Sequence, residues 1–145
     1  MKLKLLVAIV SAVIGEREKD ADMYLPLWLL VFGVILIALC PVLVVLYFVK
    51  KLIIFLPLAV AALLLGSLAV ACWRNQSIKI LSDTEFCYTT FLGNKRVYKF
   101  ADITALRRNN DSCTLFVAGD KVHIENCAVM SDRLLDMLDA SLNEQ

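Results

Sequence analysis

Two apolar runs, residues 24–49 and 52–73, follow one another with only Lys50-Lys51 between them. Each is long enough to cross the hydrocarbon core of a bilayer, roughly 30 Å, as a helix. A lysine at the centre of a spanning helix costs about 2.5–3.5 kcal/mol. Two adjacent lysines therefore mark a turn at a membrane face, and the pattern predicts a hairpin of two transmembrane helices over residues 24–73. The flanks agree with this. Tyr24 and Trp28 open the first span, and Trp73 and Arg74 close the second. An antiparallel hairpin puts these four interface anchors on one side of the bilayer, with Tyr47, Phe48, Lys50 and Lys51 on the other.

Neither span contains Asp, Glu, His or Arg, which argues against a proton relay or charged-substrate path inside the hairpin. Pro41 and Pro57 each remove a backbone donor and are expected to kink their helices. Small residues recur at four-residue spacing, Ala62 with Gly66 and Ser67 with Ala71, while Gly33 and Ala38 offer low points in the first span. Their expected use is close packing of the two helices on each other, with a homodimer seam as the second reading.

Residues 1–23 form an amphipathic segment and a charged linker. Lys2 and Lys4 precede an apolar stretch that ends at Gly15. Two readings stay open: a signal peptide, or an uncleaved helix lying at the membrane surface. Residues 16–22 then alternate charge sign, as a solvated linker does. Arg17, Lys19, Arg74 and Lys79 outnumber Lys50 and Lys51, so the expected topology is a multi-pass protein of the cell membrane with both termini cytoplasmic.

Of 145 residues, 60% are hydrophobic, too many for an ordinary soluble domain. From Arg74 onward the composition is ordinary, with nine Lys/Arg against ten Asp/Glu, a balance of −1. Without a concentrated basic face, nucleic acid is not an expected partner, and strong electrostatic docking on anionic lipid is disfavoured. Three of the five cysteines lie in this half, without a C-x-x-C spacing. They read as small apolar residues of a reducing compartment, and no metal or other cofactor is expected.

Residues 75–145 change period, to short alternating runs between turn residues. Strands are expected at 77–82, 85–91, 95–100, 103–108, 112–118 and 121–126, with turns at Ser82-Asp83-Thr84, Gly93-Asn94, Asn109-Asn110-Asp111 and Gly119-Asp120. Ser131 reads as the N-cap of a last helix reaching Leu142, with Leu134, Leu135, Leu138 and Leu142 as its apolar stripe and Met137 at the edge. The fold class is therefore a membrane α-helical hairpin followed by a small α+β domain, a curled antiparallel sheet of about six strands with a C-terminal helix.

Ile78 and Ile80, Phe86 and Tyr88, Gly93, Tyr98 and Phe100, and then Asp102-Ile103 follow in an order that resembles the bacterial pleckstrin-homology (PH)-like domain. Two spans ahead of such a domain, with Met23-Tyr24-Leu25-Pro26 leading in, are similar to small membrane-anchored bacterial proteins of unknown function. The resemblance covers about residues 24–142. It implies a PH-like fold, although seven strands are usual there and six are legible here. Phosphoinositide-binding members carry a dense basic cluster at the first hairpins; Lys95, Arg96 and Lys99 are the nearest equivalents, without a basic surround.

No nucleophile elbow, zinc-binding H-E-x-x-H, Walker loop or dinucleotide fingerprint is present, and a single histidine on a strand edge is a poor start for catalysis. The expectation is a non-catalytic interaction module held at the cytoplasmic membrane face. It would serve as an adaptor or accessory subunit for a membrane or cytosolic protein. The alternative is recognition of lipid headgroups through Lys95, Arg96 and Lys99.

Overall fold

The computed structural model describes residues 20–143, so both readings of residues 1–15 lie outside the described residues. Pro26 is the first organising residue. Proline disfavours the helical region for the residue before it, and Pro26 itself is extended (φ −69°, ψ 156°) as the N-cap of the first helix. What precedes it is thereby kept as strand: β1, Met23–Tyr24. Helix α1 then runs over Leu27–Lys50 and α2 over Phe55–Asn75. At about 1.5 Å per residue these are roughly 36 and 32 Å long, and both are long and apolar enough to cross a membrane.

These bounds differ from the expected spans. Tyr24 lies in a strand instead of opening a helix, and the hairpin unit covers residues 26–73. The turn is longer than the two lysines suggested. Lys51 caps α1 in the left-handed region (φ 53°), its N–H donating to the Tyr47 carbonyl at 2.8 Å. Leu52, Ile53 and Ile54 follow as exposed apolar residues before α2 begins. Pro57 thus falls in the first turn of α2, where its missing N–H would have had no partner. Pro41 alone is interior to a helix among the described residues.

Within the hairpin unit the helices meet on small residues. A Cβ added to Gly33 would stand 2.9 Å from the Gly66 carbonyl oxygen and 2.8 Å from a Val70 methyl. One added to Gly66 would stand 2.8 Å from the Gly33 carbonyl oxygen. Ala59, Ala62, Gly66 and Ala69 form the buried stripe of α2. Ser67 and Ala38 are exposed and Ala71 is half-buried, so of the two small-residue pairs only Ala62/Gly66 is wholly at the seam.

The second unit joins residues 20–25 to residues 74–143. After β1 its elements are β2 (Ser77–Ile80), β3 (Glu85–Thr89) and β4 (Lys95–Lys99). A 3-10 turn (Phe100–Asp102), β5 (Ile103–Arg108), β6 (Ser112–Val117), β7 (Asp120–Glu125), β8 (Val129–Met130) and α3 (Asp132–Asn143) complete it. The strands form two antiparallel sheets, β4-β3-β2-β1-β8 and β5-β6-β7, where a single curled sheet was expected. The six expected strands are present, and β1 and β8 are additional.

β1 is an inner strand. Met23 opposes Ile78 of β2 on one side and Met130 of β8 on the other, and it is fully buried with Ile78, Phe86, Leu115 and Leu134 in one core. Asp22 locks it there. Its carboxylate accepts the Ile80 N–H at 2.8 Å and the Ser131 hydroxyl at 3.0 Å. Ser131 caps α3 as expected, its Oγ accepting the Leu134 N–H at 3.2 Å. The stripe of α3 is rotated from the expected one: Leu135 is exposed, while Met137 packs on the core.

Candidate functional site

Alternation along β4 decides what its three cations can do together. Successive side chains of a strand point to opposite faces, so Arg96 stands with Tyr98 on one face, and Lys95 and Lys99 belong to the other. Tyr98 is buried and opposes Phe86, while Arg96 is exposed at the strand's far end. The Arg96 guanidinium lies 3.0 Å from Asp120 Oδ2, and the Tyr98 hydroxyl donates to the same oxygen at 3.0 Å. Asp120 begins β7, so this cluster ties the edge of one sheet to the hairpin end of the other.

The cluster's electrostatics follow from its contacts. The hydrogen bond to Tyr98 and the charge of Asp120 hold the Arg96 guanidinium above its ordinary value. Burial pushes the Tyr98 phenol up, and Asp120 reinforces that while Arg96 opposes it. Arg96 is therefore spoken for by a carboxylate of its own chain. Lys99 stands apart, on the rim of a groove of about 660 Å³ between the β2–β3 turn, the 3-10 turn and α3. Phe100 and Met137 line the groove, and Glu85, the cross-strand neighbour of Lys99, shares its rim. The structure does not gather Lys95, Arg96 and Lys99 into one pocket.

The residues expected as interface anchors divide. Trp28 is 56% exposed, whereas Trp73 is only 5% exposed. Lys50 ends α1 and Lys51 caps it, both exposed at the turn. Arg74 is exposed in the last turn of α2, where a cation complements the negative end of the helix dipole. Tyr24, paired to Ser77 in the sheet, is a half-buried strand residue.

His123 is exposed on β7, its Nε2 3.3 Å from the Glu125 carboxylate and its Nδ1 3.5 Å from the Thr114 hydroxyl. Among the described residues, no group of three or more His, Cys, Asp or Glu could hold a metal ion. Burial raises the Cys113 and Cys127 thiols, the opposite direction from that of an activated thiolate.

The Arg96–Tyr98–Asp120 cluster and the Asp22 lock were not foreseen, because each joins residues far apart in the chain. No curated protein and no solved structure matches this chain. The profile of a family of unknown function (DUF6560) matches residues 15–139, and the chain belongs to that family.

Proposed function

We propose that this is an integral membrane protein that presents a non-catalytic, PH-like interaction module at the cytoplasmic membrane face. It acts as an adaptor or accessory subunit for a membrane or cytosolic protein. One observation carries the reading: β1 precedes the first apolar helix, β2 follows the second, and the two are hydrogen-bonded neighbours in one sheet. A bilayer crossed by both helices then has both flanks of the hairpin on one side, where they complete a single module. Only Gln76 separates α2 from β2, and so short a tether keeps a membrane-bound partner at high effective concentration.

The PH-like reading draws on two antiparallel meanders, β2-β3-β4 and β5-β6-β7, followed by a C-terminal helix. The same order gave the resemblance to bacterial domains of this kind. Cytoplasmic termini rest on the lysine and arginine bias at the flanks. The headgroup reading has less behind it, since Arg96 is paired with Asp120 and stands on the opposite strand face from Lys95 and Lys99.

A photocrosslinking amino acid at exposed Leu92 or Leu135, in the full chain in its native membrane, tests the proposal. The expected result is a discrete protein adduct from at least one position. Lipid adducts alone would favour headgroup recognition, and the absence of any adduct would remove both readings.

A further inference from the structure

Every sheet edge in the module has to be accounted for, because an edge strand offers a row of backbone donors and acceptors. β8 is only two residues long. On β7 the His123 carbonyl accepts the Gln76 side-chain amide at 3.1 Å and the Tyr88 hydroxyl at 3.4 Å. On β4 the Arg96 and Tyr98 side chains reach Asp120 of the neighbouring sheet. β5 is different. It is six residues long, and Thr104, Ala105, Arg107 and Arg108 are all exposed.

The direction of its free groups follows from the hairpin. The Asn109 N–H donates to the Ser112 carbonyl at 2.8 Å, which makes this the closing bonded pair of β5–β6. Bonded and non-bonded pairs alternate in an antiparallel ladder, so Arg107–Thr114 is the next bonded pair. The N–H and C=O of Leu106 and Arg108, opposite Leu115 and Cys113, then point away from β6. A register shift between Ile103 and Ala105 disturbs the other end of the strand and leaves residues 106–108 regular. Among the described residues, neither the Arg107 nor the Arg108 guanidinium has a carboxylate within ion-pair distance.

We infer that β5 is a docking edge for an acidic, extended segment of a partner protein, which adds to β5-β6-β7 as a fourth strand. Leu106 and Arg108 supply the backbone pairing, the mode by which extended peptides join open sheets. Arg107 and Arg108 supply charge-assisted hydrogen bonds to the segment's carboxylates, one on each face of the strand. The inference rests on the adaptor reading and names the surface that reading requires.

The test uses the full chain in detergent micelles and a short fluorescent peptide, Val-Thr-Glu-Glu-Thr-Val, whose two adjacent Glu side chains fall on opposite faces of an extended strand. Two control peptides are run beside it: one with Lys replacing Glu, and one with alternate backbone nitrogens methylated, which keeps the charge and removes the pairing. The expected result is binding that slows hydrogen exchange at the Leu106 and Arg108 amides. Affinity should fall about tenfold or more, one unit of log Kd, with either control peptide and with the Arg107→Glu/Arg108→Glu chain. Equal binding of the methylated peptide, unchanged exchange at the two amides, or no binding at all would overturn the inference. The control peptides act on the native chain, so misfolding of the double variant does not spoil the test. A partner that crosslinks equally well to the double variant in membranes would leave the adaptor reading standing and remove the β5 edge.

Discussion

Ala118 holds φ at 49°, beside Gly119 at 84°, in the two-residue turn between β6 and β7. Positive φ at both turn positions matches the right-handed twist of the strands it joins. Glycine takes that conformation freely, whereas alanine pays about 1–2 kcal/mol for it. Asn tolerates the left-handed region better, so Ala118→Asn should stabilise the module by about 0.5–1 kcal/mol, read as a rise in its unfolding midpoint. An unchanged or lower midpoint would mean that the turn is not strained at Ala118. Tyr98 supplies a pH dependence. Its folded-state value is raised above the ordinary 10, chiefly by burial. As the pH climbs through 10, the unfolded chain releases this proton before the folded one does. The stability it contributes is therefore intact below about pH 10 and declines above it. Tyr98→Phe should flatten that alkaline decline in a melt series, at the cost of the bond to Asp120.

At the scale of elements, the hairpin shows what a period can and cannot reveal. The length and apolarity of α1 and α2 were readable because both are apolar on all sides, long and apolar enough to cross a membrane. Uniform apolarity, by the same token, erases the stripe that would say which face meets the neighbour. Small residues at four-residue spacing narrow the choice without making it, and Ser67 and Ala71 satisfied the spacing as well as Ala62 and Gly66. Close backbone approach at Gly33 and Gly66 is what distinguishes the seam. Gly66→Leu should therefore separate the helices, whereas Ser67→Leu, on an exposed face, should be tolerated. Disulfide trapping between cysteines introduced at facing positions of α1 and α2 would read the difference. Equal trapping in both variants would contradict the seam. In the module, six strands were legible because alternation and turn residues need only four to six residues to show. β1 and β8 have two residues each, too few to alternate, and Met23-Tyr24 merges with the apolar run that follows. The pairing of Arg96 with Asp120 was hidden for a further reason, since only the packing of two sheets brings residue 96 to residue 120.

For the molecule as a whole, the chain order of segments is not the order in which they fold together. A strand placed before the hairpin sits between β2 and β8, so the module is interrupted by the two helices and does not simply follow them. Residues 75–145 alone lack Met23, which is fully buried, and lack the Asp22 carboxylate that holds Ile80 and Ser131. Truncating a buried Met to Ala costs about 2–5 kcal/mol, and each group left without its bond costs about 1–3 kcal/mol more. A domain of some seventy residues has a total stability of only a few kcal/mol, so these losses are comparable to all of it. The isolated fragment should show no cooperative melt. The register supplies the remedy. Tyr24 directly opposes Ser77, and opposing Cα atoms of antiparallel strands are about 4.5–5.5 Å apart. A short Gly-Asn turn can therefore replace residues 26–75 and join β1 to β2 as an ordinary hairpin. That joined chain should unfold cooperatively, and Asp22→Ala within it should lower the midpoint sharply. If the fragment 75–145 melted as cooperatively as the joined chain, β1 would be an accessory to the sheet, and the case for one module closed across the hairpin would fail with it.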